Sequence, residues 1–165
     1  MPMMLTLIEA IAGRDRAQAV ARDFGVEDWD ARHASGNFRF TRDFATGVMD
    51  NALALWNREN LGVALYPGID GLSLSLVADA WSRTYRSKAT SFAPTAEIAT
   101  ANGIRVLADE ITPAWPDQTI VSVNPGETAT DALDRTLASI AGRYGDNTAE
   151  IVAMQLEYQM PPQAR

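Results

Sequence analysis

Two residue types narrow the chemistry open to this chain first: its 165 residues include one histidine, His33, and no cysteine. These residues therefore supply no thiolate nucleophile, no disulfide framework and no cysteine metal site. His33 lies in DWDARHAS beside Asp28, Asp30 and Arg32. An imidazole titrates near neutrality and a neighbouring Asp can orient it, so His33 is the candidate acid/base or pH-sensitive contact. The more economical reading is a loop histidine bonded to backbone. One histidine supplies too few of the usual ligands for a transition-metal site, and neither a metal nor a cofactor is expected. No Gly-x-Ser-x-Gly is present, and a serine nucleophile would have only His33 as its base, so no catalytic residue is assigned.

Two turns are better placed to bind a ligand. NPGETATD, Asn124 to Asp131, runs from an apolar segment through a glycine turn into a helix start, where free N–H groups and the positive helix end attract an anion. Asn124, Gly126 and Thr128 are its candidate contacts, with Thr130 nearby; the same residues would serve equally as plain helix initiation, capped by a threonine. YPGID follows another apolar segment, and open α/β sheets take ligands at the carboxyl ends of their strands. Gly68 and Asp70 belong to that turn, Ser73 lies just beyond it, and both turns are expected to border one crevice. DAWSRTYRS adds Trp81 and Tyr85 at i, i+4 beside Arg83 and Arg86. It is either an aromatic and basic contact surface or the packed end of an amphipathic helix.

The elements that hold these residues are legible from hydrophobic period. A chain that is 47% hydrophobic and 21% charged buries one core rather than two. Apolar residues from 3 to 12, a bend at Gly13, and Ala17, Val20, Ala21 and Phe24 at helical spacing before Gly25 predict a helix pair. NFRFTR alternates like a short strand, and a helix is expected from Thr41 to Asn57. LGVALY predicts a buried strand, followed by a helix from about Gly71 to Tyr85. KATSFA predicts a second strand, EIATANGIRVLADEIT a hairpin turning at Asn102-Gly103, and TIVSV a further buried strand. Helices over Ala129 to Tyr144 and Thr148 to Tyr158 close the chain. The order argues for an α/β fold, an open and mostly parallel sheet flanked by helices, with an N-terminal helical segment.

A net charge of −7 repels phosphate backbones and argues against direct nucleic-acid binding. AVARDFGVEDWDARH has the outline of a helix-turn-helix, but EDWD places acidic side chains where base contacts belong. The opening MPMMLTLIEAIAGRDR lacks the basic start of a signal peptide, and no run approaches a membrane span, so a cytoplasmic protein without membrane attachment is expected.

VALYPGIDGLSLSLVADAWSR, then GIRVLADE, then an apolar strand ending in Pro-Gly, resembles the opening half of the ThiJ/PfpI family, within the class I glutamine-amidotransferase-like superfamily. ALDRTLASIAGRYGDNTAEIVAMQLEY resembles the family's last helices. The resemblance covers residues 61 to 158 and sets three regions: 1–60, helical segment and connector; 61–158, an abbreviated α/β unit; 159–165, a tail. It implies a cysteine elbow between the Pro-Gly strand and the last helices. Here SVNPGETATDALDRTL passes almost directly from one to the other. The acidic residue that the family places after its first strand falls on Ser73, with Asp70 three positions earlier. The resemblance thus implies a non-catalytic module, of the sort seen in the ligand-sensing part of transcriptional regulators, binding a small molecule or a protein partner. The alternative is a divergent hydrolase or lyase using His33 or Asp70. Association into a homodimer is expected, since an abbreviated unit can complete its core that way.

One internal echo remains. Ile-Ala-Gly-Arg occurs at Ile11 to Arg14 and at Ile140 to Arg143, and three extra residues in the later copy bring Ala17, Val20, Ala21 and Phe24 onto Ala149, Val152, Ala153 and Leu156. Either the closing helix pair is duplicated at the start of the chain, or two alanine-rich hairpins coincide.

Overall fold

The computed structural model of the chain describes residues 2–26, 29, 41–53 and 58–160. His33, residues 37–40 of the expected strand NFRFTR, and Trp56 lie outside them; the last residue of that expected strand, Arg42, instead opens a helix. The apolar run after Asn60 forms β1 (Glu59–Ala64), and the periodic segment after it forms α4 (Gly71–Ser82), preceded in the chain by α1 (Pro2–Ala12), α2 (Arg14–Phe24) and α3 (Arg42–Leu53). Next come β2 (Ser87–Ala93), β3 (Glu97–Ala99), β4 (Arg105–Leu107), β5 (Glu110–Ile111), β6 (Ile120–Val121), α5 (Ala129–Tyr144) and α6 (Asp146–Gln155). Among the described residues β5, β2, β1 and β6 form one sheet in that order, every pairing parallel, while β3 and β4 form a separate antiparallel hairpin. The fold is α/β, a parallel sheet flanked by helices, with helices at the N-terminal side.

Alternation along β1 divides the sheet. Leu61, Val63 and Leu65 join Val77 and Trp81 of α4, Leu133, Leu137 and Ile140 of α5, and Ala149, Val152 and Ala153 of α6 in one buried cluster. On the other face Trp115 lies flat over Gly62 and stacks on Phe92, ring centroids 5.4 Å apart. Only a glycine admits that ring, since a Cβ there would sit 2.6 Å from Trp115 Cδ2.

Three expectations change. The hairpin turns at Asn102-Gly103 as expected, but Glu110–Ile111 leaves it and pairs with β2 in the main sheet. Asp109 drives that departure: its Oδ2 accepts from Ser91 N at 2.8 Å and Ser91 Oγ at 2.7 Å, fixing the chain against β2. TIVSV contributes only two residues of strand, because Asp117–Thr119 turns first and the edge strand pairs with β1 alone among the described residues. Finally, α4 stops at Ser82 rather than near Tyr85. Thr84, fully buried, donates to Trp81 O and accepts from Arg86 N and Ser87 N, folding the chain toward β2 with Tyr85 at φ 60°.

The echo is structural, in a different register. α1 turns into α2 at Gly13 (φ 87°, ψ 161°) and α5 into α6 at Gly145 (φ 92°, ψ 157°), conformations that favour glycine. Gly13 N donates to Glu9 O as Gly145 N donates to Ala141 O. At the far ends Gly25 N and Val26 N donate to Arg22 O and Ala21 O, while Glu157 N and Tyr158 N donate to Met154 O and Ala153 O. Gly25 (φ 74°) and Glu157 (φ 49°) both take the left-handed conformation that closes such a cap. The pairs thus align without a gap, Leu5 on Leu137, Ala17 on Ala149, Ala21 on Ala153, and all six are buried. The Ile-Ala-Gly-Arg match is out of register. Gly142 stays helical because one further turn places Tyr144 edge-on against Trp81, centroids 5.9 Å apart.

Candidate functional site

The two turns singled out by sequence stand side by side. Tyr66 OH donates to Val123 O across 3.1 Å, joining the end of β1 to the segment after β6. Burial raises the Tyr66 hydroxyl pKa, helped by the negative charges of Asp70 and Glu127 on either side. Most polar groups of the first turn are committed to structure: Gly68 N donates to Ala99 O at 2.8 Å, and Asp70 Oδ2 accepts from Ser73 N at 2.7 Å as the N-cap of α4. Asp70 is therefore the residue that starts the helix, three positions before Ser73 because that is cap spacing. Ser73 is 1% exposed and its Oγ has no hydrogen-bond partner.

In the second turn Gly126 takes φ 76°, and Glu127 N donates to Asn124 O. Glu127 is gripped by Arg135 at 2.8 and 2.9 Å, and this hydrogen bonding holds the Glu127 carboxyl below its ordinary pKa. Thr128 caps α5, accepting from Asp131 N at 3.2 Å and donating to Asp131 Oδ2 at 2.7 Å. Gly68, Asp70 and Ser73 thus sit on one side of the Tyr66 link and Asn124 and Gly126 on the other, while Thr128 faces a second feature.

That feature is the junction of α2 with α5. Thr130 Oγ1 donates to Phe24 O at 2.7 Å, so the negative end of one helix meets the positive start of the other. Gly25 lies so close that a Cβ there would fall 2.8 Å from Thr128 Cβ. At the helix start that the sequence offers to an anion, the Thr130 hydroxyl is taken by the chain's own carbonyl and the Asp131 N–H by the Thr128 cap. Beside this contact opens a cavity of ≈ 380 Å³, lined by Gln18, Arg22, Val26, Trp29, Thr128 and Asp131 among others. It offers a guanidinium, a carboxylate, an amide and a hydroxyl along an indole wall, so it can hold a small molecule bearing groups of both charges. Gln18, Arg22 and Asp131 were not candidates from sequence. Gly25 was legible as a helix stop, but nothing local ties it to Thr128.

The aromatic and basic segment DAWSRTYRS does not form one surface. Trp81 is buried against Tyr144, whereas Tyr85 lies beyond the helix and is exposed. Arg86 stacks on Tyr144 instead, 5.1 Å from the ring centroid. Around it, at the amino end of β1, Glu59 accepts from Arg143 Nε and Nη2, both at 2.7 Å, and from Tyr144 OH. The Arg143 hydrogen bonds, opposed by burial, lower the Glu59 pKa to about 2. This cluster ties α5 to the sheet at the end opposite the turns.

Among the described residues no group of three His, Asp or Glu is placed to hold a metal ion, and no helix is long and apolar enough to cross a membrane. No family model matches the sequence, and no curated protein matches it. Solved structures similar in fold include an AraC family transcriptional regulator from Pseudomonas putida (11% identity, 59% of this chain and 99% of that chain, TM-score 0.48). Oxidised DJ-1 from Toxoplasma gondii matches at 11% identity over 61% of this chain and 98% of that one, TM-score 0.46. The VC2308 protein matches at 11% identity over 61% and 92%, TM-score 0.40.

Proposed function

We propose that this chain is a non-catalytic, ThiJ/PfpI-like binding module, associated with transcriptional regulation, that takes a small polar molecule at the junction of α2 and α5. The observation that carries this reading is the ≈ 380 Å³ cavity whose walls include both Arg22 and Asp131. A ligand with a carboxylate for Arg22 and an amine for Asp131 satisfies both charges at once, and Gln18 and Thr128 supply neutral polar contacts. The reading keeps Thr128 from the sequence-derived site and moves the centre of binding from the space between the turns to the side of the second turn. The absence of cysteine from the sequence supports a binding role over thiol chemistry.

Isothermal titration of the whole chain against the twenty amino acids and a set of simple carboxylic acids tests this. Saturable binding of one of them, lost in Arg22→Ala and weakened in Asp131→Asn with unchanged circular dichroism, is the expected result. No saturable binding across the set, or binding that both variants retain, overturns it. Turnover of any tested ester or amide that disappears in His33→Ala or Asp70→Ala, with folding intact, would replace it with the enzymatic reading.

A further inference from the structure

We infer, on the basis of that reading, that the ligand fastens the α1–α2 pair to the α/β unit: a molecule with an anionic and a cationic end bridges Arg22 of α2 to Asp131 of α5, whereas one with an anion alone enters without closing the joint. The joint is narrow. Among the described residues α1 and α2 pack on each other, and the buried cluster that unites the sheet with α4, α5 and α6 takes no side chain from either. α2 reaches α5 through the Thr130 hydroxyl, which donates to Phe24 O at 2.7 Å, and through the close approach of Gly25 to Thr128. Both contacts lie at the carboxyl end of α2, and neither involves a charged side chain.

The cavity lies across this joint, with Arg22 and Val26 lining it from the α2 side and Thr128 and Asp131 from the α5 side. Arg22 and Asp131 bring opposite charges to the two sides, yet no ion pair joins them. Asp131 Oδ2 accepts from Thr128 Oγ1 at 2.7 Å, while the Arg22 guanidinium has no hydrogen-bond partner among the described residues. In the same wall the buried Trp29 Nε1 has none either. Because Gly25 already touches Thr128, the helices cannot approach further to bring the two charges together. A bridging molecule supplies the missing length. Its carboxylate on Arg22 and its amine on Asp131 form charge-assisted bonds, and both form only when the joint is closed, so the closed population grows. A bare anion meets Arg22 equally well in either state and therefore shifts nothing.

A sequence without cysteine allows two spin labels to be placed uniquely, on Arg16→Cys of α2 and Ala138→Cys of α5, both exposed positions. Pulsed electron resonance of the full chain then reads the distance between the helices. Without ligand a broad distribution is expected. At about 10 mM, at least one of the twenty amino acids narrows it, and the matching carboxylate without the amine does not. Asp131→Asn abolishes the narrowing and weakens that amino acid at least about tenfold, while the matching carboxylate binds as before and so shows the variant to be folded. A distribution already narrow without ligand overturns the inference, as does narrowing by the bare carboxylate or narrowing that survives in Asp131→Asn. Binding of an amino acid that leaves the distribution broad, or binding of carboxylates alone, overturns the inference and leaves the binding role standing. No saturable binding by any amino acid or carboxylate overturns both.

Discussion

Gly25→Ala puts the docking of α2 on α5 to a quantitative test. Gly25 caps α2 at φ 74°, where an alanine costs about 1–2 kcal/mol through its Cβ. A second cost is specific to this site, since the new Cβ would stand 2.8 Å from Thr128 Cβ and closer still to Thr128 Oγ1. Thr128 cannot rotate away freely, because that hydroxyl caps α5 through Asp131 N. Losing the cap costs about 1 kcal/mol, and separating the helix ends also strains the Thr130 to Phe24 bond, worth about 1 kcal/mol. The total expected from urea denaturation with linear extrapolation is about 3–4 kcal/mol. Gly68→Ala is the control: its φ is 81° with nothing within 4 Å of the added Cβ, so it bears only the conformational cost of about 1–2 kcal/mol. Thr128→Gly removes the obstruction at only a few tenths of a kcal/mol, so Gly25→Ala made in that background falls to the cost of Gly68→Ala. Equal losses for Gly25→Ala and Gly68→Ala in the native background would falsify the docking of α2 on Thr128, and with it the cavity.

Further predictions bear on the fold and its pH dependence. Gly142→Ala, in open space inside α5, stabilises by about 0.5–1 kcal/mol, while Gly145→Ala at φ 92° destabilises by about 1–2 kcal/mol; thermal melts giving the reverse order would restore Ile-Ala-Gly-Arg as the true register. Glu59 has a folded pKa of about 2 against an ordinary 4.5, so its carboxylate stabilises the fold fully above pH 4.5 and loses that effect as pH falls toward 2. With the side chain 32% exposed, solvent screening leaves about 1 kcal/mol. Glu59→Gln should therefore flatten the acid limb of stability measured between pH 5 and 2, and an unchanged limb refutes the assignment. Gly62→Ala displaces Trp115 and costs about 1–3 kcal/mol; the cost should vanish in a Trp115→Ala background, and a persistent loss there would mean that the ring is not what the new methyl meets.

What the sequence determined by itself is what physics settles within four or so residues. Glycine after a periodic run predicts the breaks at Gly13 and Gly25, and an oxygen-bearing side chain three residues before an amide makes Thr128 a cap. An apolar run between turn residues predicts β1, and Asn102-Gly103 predicts its hairpin. The α/β class followed because period changes from helical to extended in a fixed order. Even so, Asp70 looked like a displaced acidic residue when compared with a family, though its distance from Ser73 alone marks it as a cap. The tertiary structure decided everything that depends on burial at a distance. The break near Gly145 was expected from sequence, but that the two helix pairs match on Gly13 and Gly145, and not on Ile-Ala-Gly-Arg, follows from the further turn that brings Tyr144 to Trp81 and Glu59. Glu110–Ile111 leaves its hairpin because Asp109 finds Ser91, 18 residues away. The junction beside the cavity exists because Thr130 meets Phe24 across 106 residues. No local pattern records such a partner, since chain entropy and buried area, summed over the whole fold, select it.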